Sequence, residues 1–191
     1  MSFYVALLHE GMHDKSGKTA VTTSITPIDI HDIARSCRTF GVSKFFVAHP
    51  SPVMRKLART LTTHWTEGFG SEYNPNRTEA VKFVQLVEDL DEAISNIFEY
   101  ENCLPVIIAT SAQDGINRQS FSKMREDLIY SKSPHLLLLG TGWGMNEELL
   151  NRASIFLEPI RGVKTKVTNH YNHLSVRAAA AIILERLLSP S

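Results

Sequence analysis

Cysteine is nearly missing: Cys37 and Cys103 are the only two in 191 residues, too few for a disulfide scaffold. No apolar run approaches the roughly 20 residues that a membrane span requires. The opening "MSFYVALLHEG" lacks the basic start and small-residue cleavage site of a secretory signal. These absences make a cytoplasmic protein without a membrane partner the expectation. Net charge is missing too, since 20 Lys and Arg balance 20 Asp and Glu, which argues against a histone-like binder of nucleic acid. Phosphate-binding motifs are also lacking. There is no G-K-[S/T] for a P-loop, and no G-x-G-x-x-G after the first strand for a dinucleotide. His170 and His173 lie three apart, but no cysteine or carboxylate nearby has ligand spacing, so no metal is expected.

What is present describes one α/β domain spanning residues 1–191, with 43% hydrophobic and 8% aromatic residues. Its charges are unevenly placed. Arg35, Arg38, Lys44, Arg55, Lys56 and Arg59 crowd the stretch from His31 to Trp65 against Asp32 alone. Thr66 to Glu101 is strongly acidic, so one basic face within a neutral protein is an expectation.

"FYVALLH", "KFFVAH", "VQLVE", "PVIIATS", "HLLLLG" and "SIFLEPI" read as strands, most of them continuous apolar runs. "KTAVTTSIT" also permits extended structure. Helices fit between the strands. Thr26-Pro27 with Asp29 is a helix start, with Ile30, Ile33, Ala34, Cys37 and Phe40 as its apolar stripe and Gly41 at its end. Ser51-Pro52 opens a second helix, whose apolar side is expected to be Val53, Leu57, Leu61 and Trp65. Asp89 with Glu92 caps another. "SFSKMREDLIY", "NEELLNRA" and "HLSVRAAAAIILERLL" supply the rest. Buried strands alternating with helices predict a mostly parallel sheet with helices on both faces. Cys37 is expected in the core, and His49 and His64 on the surface beside helices.

The most informative stretch is "LLLLGTGWGMNEELL", residues 136–150. Gly140, Gly142 and Gly144 alternate after the fifth main strand, where too little chain remains for a dinucleotide half-fold. Missing Cβ atoms leave amides and carbonyls bare, which suits a flat adenine read by main-chain hydrogen bonds. Asn146 is placed to cap the short helix that follows. Trp143 leaves two readings open, a base-stacking platform or a plug in the core, and the core is the preferred one.

Three segments together resemble the SPOUT methyltransferases. "DIHDIARSCRTFGV" (29–42) is similar to their first motif, N-I-G-x-I-x-R-T-x-x-x-F-G-V, through Ile30, Ile33, Arg35, Phe40, Gly41 and Val42. "LLGTGWGMNEELL" resembles the second motif. "LEPIRG" followed by "YNHLSVRAAAAIILE" resembles the third. The likeness is nearest to a bacterial group that sometimes occurs fused to the tRNA (guanine-N1)-methyltransferase. It implies an α/β fold with a C-terminal deep trefoil knot and a homodimer, with Ala178 to Ala181 letting the last helix pack tightly. It implies S-adenosylmethionine as methyl donor, S-adenosylhomocysteine as product, and an RNA substrate, either tRNA or rRNA. By the same resemblance the donor is held by three loops: Ala109, Thr110 and Ser111; Leu139, Gly140, Thr141, Gly142 and Gly144; and Glu158, Pro159 and Ile160 with Asn172, His173, Leu174 and Ser175. Arg35 falls on the first-motif arginine and is the catalytic candidate. Arg35, Arg38, Arg161, Lys164, Lys166 and Arg177 are the candidate RNA contacts, and "RGVKTKVTNHYNH" reads as a substrate lid.

The chain departs from the family pattern at informative places. Asp29 replaces the first-motif asparagine and His31 its glycine. Gly142 follows Thr141 where ribose methylators carry an acid, and "YNH" stands for S-L-N. Ribose hydroxyl and base nitrogen therefore both stay open as targets, with Asp29, His31, Glu158 or His173 as proton acceptor. A non-catalytic SAM- and RNA-binding module of the same fold is the alternative.

Overall fold

A computed structural model describes residues 2–67, 69–163 and 171–190. The chain opens with β1 (Phe3–Leu8), followed by a small antiparallel hairpin of β2 (Met12–His13) and β3 (Ala20–Val21). The remaining strands are β4 (Lys44–Ala48), β5 (Val84–Val87), β6 (Val106–Ala109), β7 (His135–Gly140) and β8 (Ile155–Phe156). All of these except β2 and β3 form one parallel sheet in the order β5-β4-β1-β7-β6-β8.

The apolar strands are continuous because both faces are covered. Side chains alternate with the pleat, so Val5, Leu7, Phe45, Val47, Ile108, Leu137 and Leu139 fall in one core layer. Tyr4, Ala6, Leu8, Phe46, Ala48, Ile107, Leu136 and Leu138 fall in the other. Helix α1 (Pro27–Thr39) buries Ile30, Ile33, Ala34 and Cys37 completely in the first layer. It ends at Gly41, whose φ of +70° suits a residue without Cβ. Burial also raises the Cys37 thiol pKa, keeping it a core side chain.

Helix α2 (Pro52–Thr66) corrects an expectation. Val53 and Leu57 are 72% and 56% exposed, while Met54, Ala58 and Leu61 face the core. Two short helices absent from the sequence reading follow, α3 (Phe69–Tyr73) and α4 (Pro75–Val81). Asn74 caps α4 by accepting from the Arg77 amide at 3.0 Å. These helices bring the acidic stretch back against α1 and α2. Arg38 pairs with Glu79, and Arg55 lies 3.6 Å from Glu88. The two charge zones thus partly neutralise one another rather than leaving a single basic face.

Helix α5 (Leu90–Glu101) starts as the sequence indicates. The Asp89 carboxylate accepts from the Glu92 amide at 2.8 Å, and Glu92 accepts from the Glu88 amide at 2.5 Å. Ser120, Asn146 and Ser175 cap α6 (Phe121–Tyr130), α7 (Glu147–Leu150) and α8 (Val176–Leu188) in the same way. Helix α8 buries Ala180, Ile183, Leu184 and Leu187 in the α1/α6 layer, whereas α5 and α7 serve the opposite face. Among the described residues no helix is long and apolar enough to cross a membrane.

Candidate functional site

In an open parallel sheet, ligands bind outside the carboxyl ends of the strands. Here the three expected loops leave three adjacent strands. Ala109 pairs in register with Leu138 of β7 and with Phe156 of β8. The Thr110 hydroxyl donates to the Leu138 carbonyl at 2.9 Å, tying the first loop to the second. Ser111 turns its hydroxyl to accept from the Gln113 amide at 3.1 Å. Ala109 and Leu139 themselves are buried, so they contribute backbone rather than side chain to any ligand.

The glycine turn is pinned on both limbs. The Thr141 hydroxyl lies 3.1 Å from the Leu8 carbonyl, to which it can donate, and shares a hydrogen bond of 2.5 Å with the Thr23 hydroxyl. Its amide points at the Met12 sulfur, 3.2 Å away. The Gly144 amide donates to the Thr141 carbonyl, the His13 amide to Gly144, and the Asn146 amide to Gly11, at 2.8–3.1 Å. Between these ties the amides of Gly142 and Trp143 make no hydrogen bond among the described residues. Gly142 (φ +58°) and Gly144 (φ +97°) occupy backbone conformations that disfavour other residues. A Cβ at Gly140 would lie 2.9 Å from the Met145 side chain, and one at Gly142 would lie 3.1 Å from Thr23. Trp143 is 58% exposed. It does not plug the core, because the turn lifts it off the sheet.

The third loop passes between two limbs of the first. On one side of β8 the Leu157 amide donates to Ala109 at 3.0 Å. On the other, the Gln119 amide donates to Phe156 at 2.7 Å and the Glu158 amide to Gln119 at 2.9 Å. The Glu158 carboxylate accepts from the Phe121 amide at 2.9 Å, so it anchors the start of α6. Pro159 is buried and Ile160 packs partly against the core. Asn172, His173 and Leu174 are exposed, and Ser175 caps α8. Lys164, Lys166 and His170, with most of the predicted lid, lie outside the described residues.

Next to the turn lies a buried histidine pair, of which sequence reasoning misplaced His49. His49 is 3% exposed rather than on the surface, and His9 is buried beside it with ring centroids 5.5 Å apart. The Ser51 amide donates to His49 Nδ1 at 3.0 Å, so Nε2 carries the proton and donates to the Thr23 carbonyl at 3.1 Å. His9 Nδ1 meets the Ala48 carbonyl at 2.9 Å. Burial pushes the His9 pKa down to about 4, against the opposing pull of that carbonyl, and lowers His49 as well. Both histidines stand directly after an apolar strand, and that position was the available signal. Thr23, Met12 and Gln119 carried no comparable mark.

A separate groove of about 510 Å³ runs between α1 and α8, lined by Asp32, Arg35, Ser36, Phe40, Ser175 and Arg177 among others. Arg35 is exposed there and has no carboxylate partner among the described residues. Arg177 differs, lying 3.1 Å from Asp29 and 3.5 Å from Asp32. Arg38 and Arg161 are likewise engaged, with Glu79 and Asp114. His31 packs edge-on against Trp65, with Nδ1 buried and unpartnered among the described residues. Burial, then the Arg77 charge and more weakly that of Arg35, depress its pKa, so it is neutral near pH 7. The structure thus unites the glycine turn with the first loop and β8, and sets Arg35 on a neighbouring groove that shares Ser175.

Comparison with known proteins identifies the family of the chain. A family profile described as SAM-dependent RNA methyltransferase matches residues 2–189. A tRNA (guanine-N(1)-)-methyltransferase of Nitratidesulfovibrio vulgaris is 41% identical over 187 residues, covering 98% of this chain and 42% of that protein. The chain therefore spans less than half the length of that curated relative. An uncharacterized protein of Aquifex aeolicus is 37% identical over 97% of this chain and 88% of its own length. Among solved structures, the SpoU methyltransferase AviRb of Streptomyces viridochromogenes in complex with AdoMet superposes with a TM-score of 0.56. It covers 98% of this chain and 57% of its own, and at 13% identity this likeness concerns the fold. With the profile matched along nearly its whole length, the chain belongs to the SAM-dependent RNA methyltransferase family.

Proposed function

We propose that this chain itself transfers a methyl group from S-adenosylmethionine to a nucleotide of RNA, with the donor seated at the carboxyl edge of β7, β6 and β8. One observation carries the reading: the amides of Gly142 and Trp143, unpaired among the described residues and set in a turn with Gly142 and Gly144 left-handed, stand beside strand ends that are already cross-tied. Those amides suit the edge of an adenine, and Ile160 and Leu174 offer apolar faces. When bound, S-adenosylmethionine supplies a methyl carbon already activated by its sulfonium. The protein's task is then to hold the acceptor in line and exclude competing geometries. Arg35, with no acidic partner among the described residues, holds a phosphate of the substrate at the mouth of the α1/α8 groove. Of the four candidate proton acceptors, Asp29 is committed to Arg177 and Glu158 to the start of α6. His31 and His173 are left for a ribose hydroxyl or a base nitrogen.

A threaded tail belongs to the same reading. The chain at β8 is hydrogen-bonded on both sides by limbs of the single loop 109–121, which supports a trefoil knot in the carboxyl-terminal third. A homodimer acting in the cytoplasm completes the proposal. The relatives named for tRNA methylation put tRNA first among substrate classes. The test is incubation of labelled donor and protein with RNA from a strain deleted for the gene. Incorporation into tRNA, cut at least about tenfold by Arg35→Ala, is the expected result. No incorporation into any RNA by a protein that binds donor would overturn it.

A further inference from the structure

The exposed indole of Trp143 has no role in the donor pocket or the core, yet it sits on a turn pinned on both limbs. Its neighbour is the β2–β3 hairpin. Met12 bridges Met145 in antiparallel sense, and the His13 amide donates to the Gly144 carbonyl at 2.8 Å. The hairpin thus lies against the carboxyl limb of the turn that carries Trp143. The tip is itself ordered. Asp14 Oδ1 accepts from the Ser16 and Lys18 amides at 3.0 and 3.3 Å, the Asp14 amide donates to Thr19, and Gly17 turns the chain at φ +70°. Lys15 and Lys18 are exposed and carry no ion pair among the described residues. This contrasts with Arg38, Arg161 and Arg177, which all have acidic partners.

We propose that this lip is the docking surface for a single-stranded segment of the RNA substrate, where Trp143 stacks on one unpaired base and Lys15 and Lys18 contact the flanking phosphates. An aromatic face and free ammonium groups on preorganised loops are what unstacked RNA requires. A rigid turn holds the indole without ordering cost at the moment of binding. Because the lip adjoins the Gly142 amide, a base stacked there places its neighbour next to the donor. The inference rests on the proposed methyl transfer to RNA.

The experiment uses the full chain with unfractionated bacterial tRNA and a short unstructured RNA, measuring affinity across a salt series and donor affinity by calorimetry. Trp143→Ala should weaken RNA binding about tenfold to a hundredfold, with Trp143→Phe closer to wild type, and the calorimetric donor affinity of each variant reads separately whether the turn's amides are disturbed. Lys15→Ala/Lys18→Ala should lower the dependence of log Kd on log salt by about 1.4. Only two tryptophans exist, so in a Trp65→Phe background RNA should quench the remaining fluorescence. Wild-type RNA affinity in Trp143→Ala, with donor binding intact, overturns this inference and leaves the methyltransferase reading standing. So does a Trp143→Ala protein that changes from dimer to monomer but keeps its RNA affinity, since the indole is then a contact between copies. A wild-type protein that binds no donor overturns the underlying reading, and this inference with it.

Discussion

The two halves of the sheet's carboxyl edge are built from the same strand pattern and end in opposite ways. At β1 and β4 the strand ends are closed by side chains. His9 and His49 fill the space and meet the carbonyls of Ala48 and Thr23. At β7, β6 and β8 the ends are cross-tied by the short hydroxyls of Thr110 and Thr141 and by the Gln119 backbone bridge, while the amides of Gly142 and Trp143 make no hydrogen bond among the described residues. The difference teaches where a ligand has room. A filled edge adds stability and offers nothing to bind, whereas an edge tied by short hydroxyls and main chain is rigid and still accessible. Thr23 joins the halves, its carbonyl accepting from His49 and its hydroxyl hydrogen-bonded to that of Thr141.

The largest expected effect comes from the closed half. Phe45→Ala empties a fully buried site on β4 and should cost about 3–5 kcal/mol in denaturant unfolding, while the folded fraction binds donor as before. A loss of donor affinity per folded molecule would erase the distinction between the halves.

Next comes acid sensitivity. The folded His9 pKa of about 4 lies below the unfolded value, about 6.5. The unfolded chain therefore binds more protons between these values, and stability falls as pH drops from about 6.5 toward 4. Of the groups facing His9, the Ala48 carbonyl and Asp29 oppose the shift and His49 reinforces it, with burial the largest cause. His9→Asn should flatten this part of the stability-pH curve by on the order of 2 kcal/mol, without altering donor affinity at pH 7.5. An unchanged slope would remove His9 as the cause.

Much of the comparison was legible in the sequence. Buried strands read as apolar runs, and the stripe of α1 read correctly because Ile30, Ile33, Ala34 and Cys37 form one helical face. Caps at Asp89 and Asn146 were visible because they act within three or four residues. What stayed hidden depends on distant partners. Helix α2 carries apolar residues around much of its circumference, so only packing decides that Met54 and Ala58 turn inward instead of Val53 and Leu57. His49 is buried because a carbonyl 26 residues earlier receives its proton. The basic zone loses its single face because α4 brings Glu79 to Arg38. Helices α3 and α4 have too little apolar periodicity to announce themselves. The small-residue turn was legible, since a backbone requirement is written directly in glycine. The outward position of Trp143 was not.

The smallest effect expected on stability tests the junction between the halves. Thr141→Val removes the hydroxyl that bonds Leu8 and Thr23. It should cost about 1–2 kcal/mol of stability and, by loosening the turn, about tenfold in donor affinity. Equal effects from Thr23→Val would place both residues in one unit. A stability loss with donor affinity unchanged would show that the turn holds its shape alone.

The central claim is most directly tested by titrating S-adenosylhomocysteine into the wild-type protein and into Gly142→Val in a calorimeter, with circular dichroism on both. The account predicts one-site binding by the wild type and no measurable binding by a folded Gly142→Val, whose Cβ would crowd Thr23 and strain a φ of +58°. A folded Gly142→Val that binds as tightly as the wild type would contradict it.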